Sequence, residues 1–462
     1  VYSPTGSHGT HVSGMAAGHH MNNNPHHNGI APGAQILALK LGHCGAAGGA
    51  STTGAMIKCY EYAARWAKEH PETPVIINMS YGVGCEIEGQ SKITRMLDSL
   101  FKANPKLLCS ISNGNEGPGI SNTGLPADSK YVWSAGAMMP VDTLASVWGA
   151  DIQTHKPFIF TSRGGELPKP DGIAPGGAAA TVPRYLGRDA MWGTSMASPQ
   201  TAGFMACLAS ACRAEKIPYH NMLFYRAMRN AAEPLEGWNE LDQGAGLIKM
   251  GPTFELLKKY AARGDHERLY AYDITAQAPN QPRGRCRAAY FRNSDWYPTY
   301  PEYTTFAVRP VFTKDTTPDE QGRYYQAFDF VPDQEWIKVN KPSGYIRGSG
   351  ALSLRAWYDA EALKEPGLYV GTIRAYRKGL AHRPENVEFR LWNTVVVPHR
   401  LGPAGKFEQS FTGRRIEPGN IHRYFITVPA GMQALTCRLS SPEGRFCRAL
   451  VTVFAPDGEE VA

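Results

Sequence analysis

Hydrophobic and polar positions follow two rhythms along the chain, and the change falls near residue 264. Before it, short apolar runs alternate with longer stretches of helical periodicity. Gln35-Ile-Leu-Ala-Leu-Lys-Leu41 reads as a strand, Thr53 to Glu69 as a helix, and Val75-Ile-Ile-Asn-Met79 as a short, β-branched buried strand. A helix over Ser91 to Ala103 returns to an apolar strand over Leu107 to Ser112, and Tyr131-Val-Trp-Ser-Ala135 continues the alternation. A helix beginning at Ser195 follows, then helices over His220 to Ala232 and Thr253 to Ala262. This alternation predicts an α/β fold, a parallel sheet with helices on both faces, which places ligands at the carboxyl ends of its strands. Ser80 and Asn115 directly follow two of those strands and so fall on one edge.

Beyond Gly264 the period shortens. Tyr324-Tyr-Gln-Ala-Phe-Asp-Phe330, Ala351-Leu-Ser-Leu-Arg-Ala-Trp357 and Leu368-Tyr-Val-Gly-Thr-Ile-Arg-Ala375 alternate in the manner of half-buried strands and predict a mostly antiparallel β-sandwich. His399-Arg-Leu-Gly-Pro-Ala-Gly405 reads as a linker. The domains expected are therefore 1–264, a sandwich over 265–400, and the start of a further β-rich domain over 401–462; no internal repeat is found.

Three stretches of the first unit carry candidate chemistry. Gly193-Thr-Ser-Met-Ala-Ser-Pro199 opens an apolar helix on a serine, which is either an N-cap or a nucleophile at a helix start whose free amides suit a developing oxyanion. Ser7-His-Gly-Thr-His-Val-Ser-Gly14 starts a small-residue helix on His8, the candidate general base, while His11 one turn on is expected to pack. Ser110-Ile-Ser-Asn-Gly-Asn-Glu-Gly117 is a polar loop after a strand, in which Asn115 is either a turn residue or an amide donor.

In that order, S-H-G-T-H-V-S-G, I-I-N-M-S-Y-G, S-N-G-N-E-G and G-T-S-M-A-S-P resemble the signature set of the subtilisin-like serine peptidases. Asn28-Gly-Ile-Ala-Pro-Gly-Ala-Gln-Ile-Leu37, Ala174-Pro-Gly-Gly-Ala178 and Pro418-Gly-Asn-Ile-His-Arg-Tyr-Phe-Ile-Thr-Val-Pro429 are similar to the tripeptidyl-peptidase II branch of that family. The resemblance implies a subtilisin-like sheet and an acyl-transfer reaction that needs no cofactor. It implies His8 as catalytic base, Ser195 as nucleophile and Asn115 as oxyanion donor. Ser80, Tyr81 and Gly82 match the strand that pairs with substrate backbone, and Ser112, Asn113 and Gly114 the other wall of the S1 pocket. Asn113 stands where many relatives have a small apolar residue, which points to an altered S1 preference.

Two positions depart from the family pattern. The triad Asp, in a D-[ST]-G strand end ahead of the histidine, has no counterpart between Val1 and His8, and the resemblance places it upstream of Val1. Without that acid, the same fold is a binding scaffold. The branch also places a Glu directly after S-Y-G to hold a substrate amino terminus; here Val83 stands there, and Gly49-Ala-Ser-Thr-Thr53 offers no acid. A buried ammonium needs a carboxylate. The expectation is an endopeptidase rather than a tripeptide-releasing enzyme, unless Glu86 or Glu88 reaches the site.

Composition narrows the alternatives. A net charge of +7 without basic runs interleaved with aromatics argues against nucleic acid, and no apolar run reaches bilayer length. Nine cysteines without C-x-x-C spacing suggest neither a disulfide framework nor zinc, and favour a reducing, cytoplasmic setting. His19, His20, His26, His27 and His43 flank Asn22-Asn-Asn-Pro25 and read as an irregular surface loop, not a metal site. Asp171 in Lys169-Pro-Asp-Gly172 matches a K-P-D that the resemblance implies is structural, and Met196 reads as packing. The expected partner is a peptide or protein substrate, with room left for a homo-oligomer.

Overall fold

Parallel pairing of four short apolar runs builds the first unit of the chain. In the structure, a computed structural model, residues 7–43, 50–84, 87–149, 151–182, 189–267, 269–276, 286–292, 303–441 and 449–461 are described. β1 (Ile76–Met79), β2 (Leu108–Ser112), β3 (Trp133–Met139) and β4 (Gly172–Pro175) lie side by side in that order, all parallel, and the short strand Lys156–Pro157 also pairs β3. β2 and β3 are buried at every position, as a sheet covered on both faces requires.

The helices form where capping and apolar spacing agree. Thr52 and Ser91 accept the amides of Ala55 and Thr94, each at 3.1 Å, and so start α2 (Thr53–Glu69) and α3 (Lys92–Ala103). α3 buries Ile93, Leu97 and Phe101, spaced four apart on one face. α4 (Thr194–Ala214) runs through the centre and packs on β1, β2, β3 and α1 (His8–Ala17). Gly203 lets α1 approach: a Cβ there would stand 2.7 Å from Ile30 and 2.9 Å from the Ala16 carbonyl. α5 (Asn221–Ala231) and α6 (Met250–Ala262) close one side of the core around Trp133, Phe224 and Tyr260. No helix among the described residues is long and apolar enough to cross a membrane.

A sandwich follows. β5 (Leu269–Ala276), β6 (Ala289–Arg292), β7 (Thr304–Phe312), β8 (Tyr325–Pro332), β9 (Ile337–Val339), β10 (Ser343–Arg347), β11 (Leu352–Tyr358), β12 (Gly367–Arg377) and β13 (Val387–Val397) sort into two sheets. Their orders are β5-β7-β11-β9 and β6-β13-β12-β8-β10, antiparallel except where β6 meets β13. β11 alternates buried and exposed along its whole length, and its inward residues meet Phe306, Phe328 and Leu391 in the second core. Polar contacts bind the units: Asn230 donates to the Val387 carbonyl at 2.8 Å and Tyr260 to that of Glu385 at 2.6 Å.

Two sequence expectations differ from the structure. Residues 35–41 form no strand up to Leu41; Ile36 and Leu37 are exposed, and the run has no strand neighbour among the described residues to take its backbone groups. Among the described residues of 401–461 there is one two-residue strand, Ile426–Thr427, paired with His399–Arg400, and an isolated bridge between Phe454 and Glu460. This segment lies against the first unit instead of forming its own sheet among the described residues. Lys156 donates to Pro418 O and Asn420 Oδ1, and Phe454 packs over Gly119. Arg423 donates to Asp242 at 2.6 Å and to Pro118 O at 3.3 Å, and the same Asp242 oxygen accepts the fully buried Arg163 at 3.1 Å.

Asp242 is thus the shared counter-charge of two guanidiniums. Asp242→Ala leaves the buried Arg163 without its counter-charge and is expected to lower unfolding free energy by about 3–5 kcal/mol in urea denaturation. A loss under about 1 kcal/mol, the size of a surface pair, would contradict this packing.

Candidate active site

Pro199 sets the first polar contact of the site. It lies inside α4 and has no amide hydrogen, so the Ser195 carbonyl four residues earlier loses its helical donor. Ser80 supplies one: its hydroxyl donates to Ser195 O at 2.8 Å and accepts from Asn78 Nδ2 at 3.1 Å. Ser198 donates to Asn78 Oδ1 at 2.7 Å and lies 3.0 Å from the Ser110 hydroxyl. The first turn of α4 is therefore bonded to residues of β1 and β2, the edge on which the alternation placed Ser80 and Asn115.

The second contact orients Asn115. Thr194 donates to Asn115 Oδ1 twice, from its amide at 3.0 Å and from its hydroxyl at 2.9 Å. Two donors fix the oxygen end of the carboxamide, so Nδ2 is the end left to donate elsewhere. Asn115 is exposed and Ser195 half-buried, and the Ser195 hydroxyl makes a 3.4 Å bond to Ser80 O. Thr194 carries this orientation, yet in the sequence it stands out only as a neighbour of Ser195.

His8 opens α1, and among the described residues it shares no hydrogen bond with Ser195. Val12, Met15 and Met196 form one cluster, and further along Ala16 meets Gly203, so α1 and α4 run in the same direction. One turn before Val12, His8 lies level with or beyond the start of α4. Its surface is open, yet the surrounding protein desolvates the ring enough to lower its pKa, and His11 acts in the same sense. Among the described residues no carboxylate pairs with it. His11 is buried, with Nε2 3.1 Å from Ala178 O and 2.9 Å from Asp189 O, a packed role as expected.

The cleft walls divide. Tyr81 and Gly82 have no strand partner among the described residues, whereas the next residue, Val83, exchanges both backbone bonds with Leu125, at 3.0 and 2.8 Å. Ser112 ends β2 and is buried. Gly114 needs to be glycine: φ is +110°, and a Cβ would stand 2.5 Å from both Glu116 Oε2 and Ser162 Oγ. Asn113 is fully buried; its carboxamide donates to Ser162 O and accepts from Ser134 Oγ, and its amide donates to Ala135 O. The side chain therefore faces the interior and is not placed to sort substrates.

Glu88 is also turned inward. Its carboxylate accepts the amides of Thr123, Gly165 and Leu167 at 3.0 to 3.1 Å, a role hidden in sequence because all three lie far along the chain. It is not free to meet a substrate amine, and Glu86 lies outside the described residues. The Lys169-Asp171 pair, 2.7 Å apart and buried beneath β3, is structural as expected. Among the described residues no group of three His, Cys, Asp or Glu is placed to hold a metal ion.

Comparison with known proteins agrees with this geometry. The model of the Subtilase family matches residues 1–246. Pyrolysin of Pyrococcus furiosus is 29% identical over 93% of this chain and 33% of its own length. Tripeptidyl-peptidase 2 of Arabidopsis thaliana is 31% identical over 93% of this chain and 31% of its own. The crystal structure of tripeptidyl peptidase 2 matches at a TM-score of 0.66 and 24% identity, covering 87% of this chain and 30% of that one, a likeness of fold. The chain spans about a third of the length of these relatives.

Burial, followed by the charge of Glu166, raises the pKa of Glu88 from its ordinary 4.5 to about 8, against the weaker effect of its backbone donors. Such a carboxyl favours folding while protonated: its contribution is complete below about pH 4.5 and is lost as pH rises through about 8. The melting temperature is expected to fall across that window, and to fall less in Glu166→Gln. Equal slopes in the two proteins would contradict the coupling.

Proposed function

The chain belongs to the subtilase family, and we propose that it is a serine-type peptidase that cleaves internal peptide bonds through an acyl-enzyme. The observation that carries this reading is the pair of bonds from Thr194 to Asn115, which leaves a free amide donor beside a serine in the first turn of α4. His8 takes the Ser195 proton as Oγ attacks the substrate carbonyl, and Asn115 Nδ2 with the Ser195 amide holds the resulting oxyanion. His8 then gives the proton to the departing amine as the C–N bond breaks. Water, deprotonated by the same ring, releases the acyl group and restores Ser195. The lowered pKa of His8 keeps the ring neutral at pH 7, the form a general base needs.

An extended peptide adds beside Ser80, Tyr81 and Gly82, which have no strand partner among the described residues. The walls at Ser112 and Gly114 act through backbone and space, while the Asn113 side chain holds the wall from behind. Cleavage of internal bonds is favoured because Val83 replaces an acid at the cleft rim and Glu88 is consumed by three amides. The relatives named tripeptidyl-peptidase 2 favour a second reading, removal of three residues at a time.

In the full-length protein, a fluorophosphonate probe is expected to label Ser195, found by peptide mass spectrometry, and Ser195→Ala to abolish labelling. Asn115→Ala is expected to slow turnover about a hundred- to a thousand-fold, a magnitude taken from the subtilisin type itself. An intact fold without labelling would leave only a binding scaffold. Amino-blocked and free peptides of one sequence are expected to be cut at similar rates; a strong preference for the free amine would establish the tripeptide-releasing reading instead.

A further inference from the structure

A cavity of about 1170 Å³ lies between α5 and the sandwich strands β5, β12 and β13, lined by none of Ser195, His8 or Asn115. Nine Lys and Arg line it against six Asp and Glu, and the surplus is not spread evenly. At one end Arg226 and Arg377 each reach both Asp265 and Glu388, and Arg263 joins Asp265 at 2.7 Å. That end is close to neutral. At the other end the cations outnumber what the carboxylates meet.

There Arg229 reaches Asp171 at 2.8 Å, but Asp171 already neutralises the buried Lys169. Arg374 holds Asp333 at 3.2 Å through one nitrogen, while its Nε is buried without a partner. Arg390 has no ion pair among the described residues, and the β12–β13 register sets it directly opposite Arg374. Like charges directly across an antiparallel pair destabilise it. Arg287 Nη1, in the same lining, is also buried without a partner. Burial, then Arg229, then Arg374 push Arg390 down to about 10, which still leaves it charged at neutral pH. Glu240 is the carboxyl that Arg374 and Arg390 act on, and burial, then Asp333, raises its pKa. Guanidinium forks in this arrangement match the oxygens of phosphates and carboxylates, and one monovalent ion cannot span three of them.

We infer that the Arg229–Arg374–Arg390 end of this cavity binds a small multivalent anion, a phosphate ester or a di- or tricarboxylate. Arg229 belongs to the first unit and Arg374 and Arg390 to the sandwich, so the ligand joins the two. Binding to the folded state alone then stabilises both together.

Calorimetric titration and thermal unfolding of the chain, at pH 7 and constant ionic strength, test this with pyrophosphate and citrate against sodium chloride. Saturable one-site heat and a saturating rise in melting temperature are expected from at least one multivalent anion. A response to pyrophosphate alone assigns a phosphate ligand, to citrate alone a carboxylate, and to both the shared recognition. Arg390→Gln is expected to weaken binding about ten- to a hundredfold, the worth of a charged hydrogen-bonded contact. Arg390→Lys, which keeps the charge but not the fork, serves if the first variant does not fold, and weakens it as well. The exposed rim variant Arg323→Gln is expected to bind as wild type. No saturable heat from either anion in the wild-type chain would overturn the inference, as would wild-type affinity in both Arg390 variants. Neither result depends on Ser195 being a nucleophile.

Discussion

A missing hydrogen bond organises the site. Pro199 cannot donate to the Ser195 carbonyl, and Ser80 does so across from the end of β1. Through Asn78, Ser198 and Ser110 the same contact fastens the first turn of α4 to two strands. The opposite side of that turn is held by Thr194, whose two donors fix the carboxamide of Asn115. The helix start is thus tied on both sides by polar groups. Its position does not rest on apolar packing alone, which tolerates small slides that hydrogen bonds do not.

Rigidity is bought elsewhere with buried charge. The loop that carries Asn115 continues to Asn122, and Arg163 holds it by exchanging bonds with Asn122 and by reaching Asp242. Arg423 of the late segment shares Asp242 and also touches Pro118, so residues far beyond the first sheet brace the loop that carries Asn115. Glu88 does the same for the facing wall, tying Thr123 to Gly165 and Leu167. Both devices are buried: the Asp242 pairs are ionic and sensitive to the loss of one partner but little screened by salt, whereas Glu88 acts through hydrogen bonds to neutral amides.

Much of the first sheet is legible in sequence because its strands are buried on both faces and read as unbroken apolar runs, as at Leu108 to Ser112. Helices at Thr53 and Lys92 were equally plain, since a capping hydroxyl precedes an apolar stripe. Residues 35–41 have the same apolar look but no neighbour among the described residues, and a strand is defined by its neighbour. The late segment shows the converse, since apolar alternation over 401–461 produces almost no ladder there. Of the candidate site, Ser195, His8 and Asn115 stand out through motif, whereas the bonds of Thr194, the inward turn of Asn113 and the capture of Glu88 depend on residues distant in the chain. Such contacts leave no periodic trace.

The most direct test of the helix-start arrangement is a crystal structure of the full-length protein with a phosphonate bonded to Ser195 Oγ. The expected result places one phosphoryl oxygen about 2.7–3.1 Å from both Asn115 Nδ2 and the Ser195 amide, with Asn115 Oδ1 still held by Thr194. A phosphoryl oxygen directed away from Asn115, or a carboxamide released from Thr194, would contradict it.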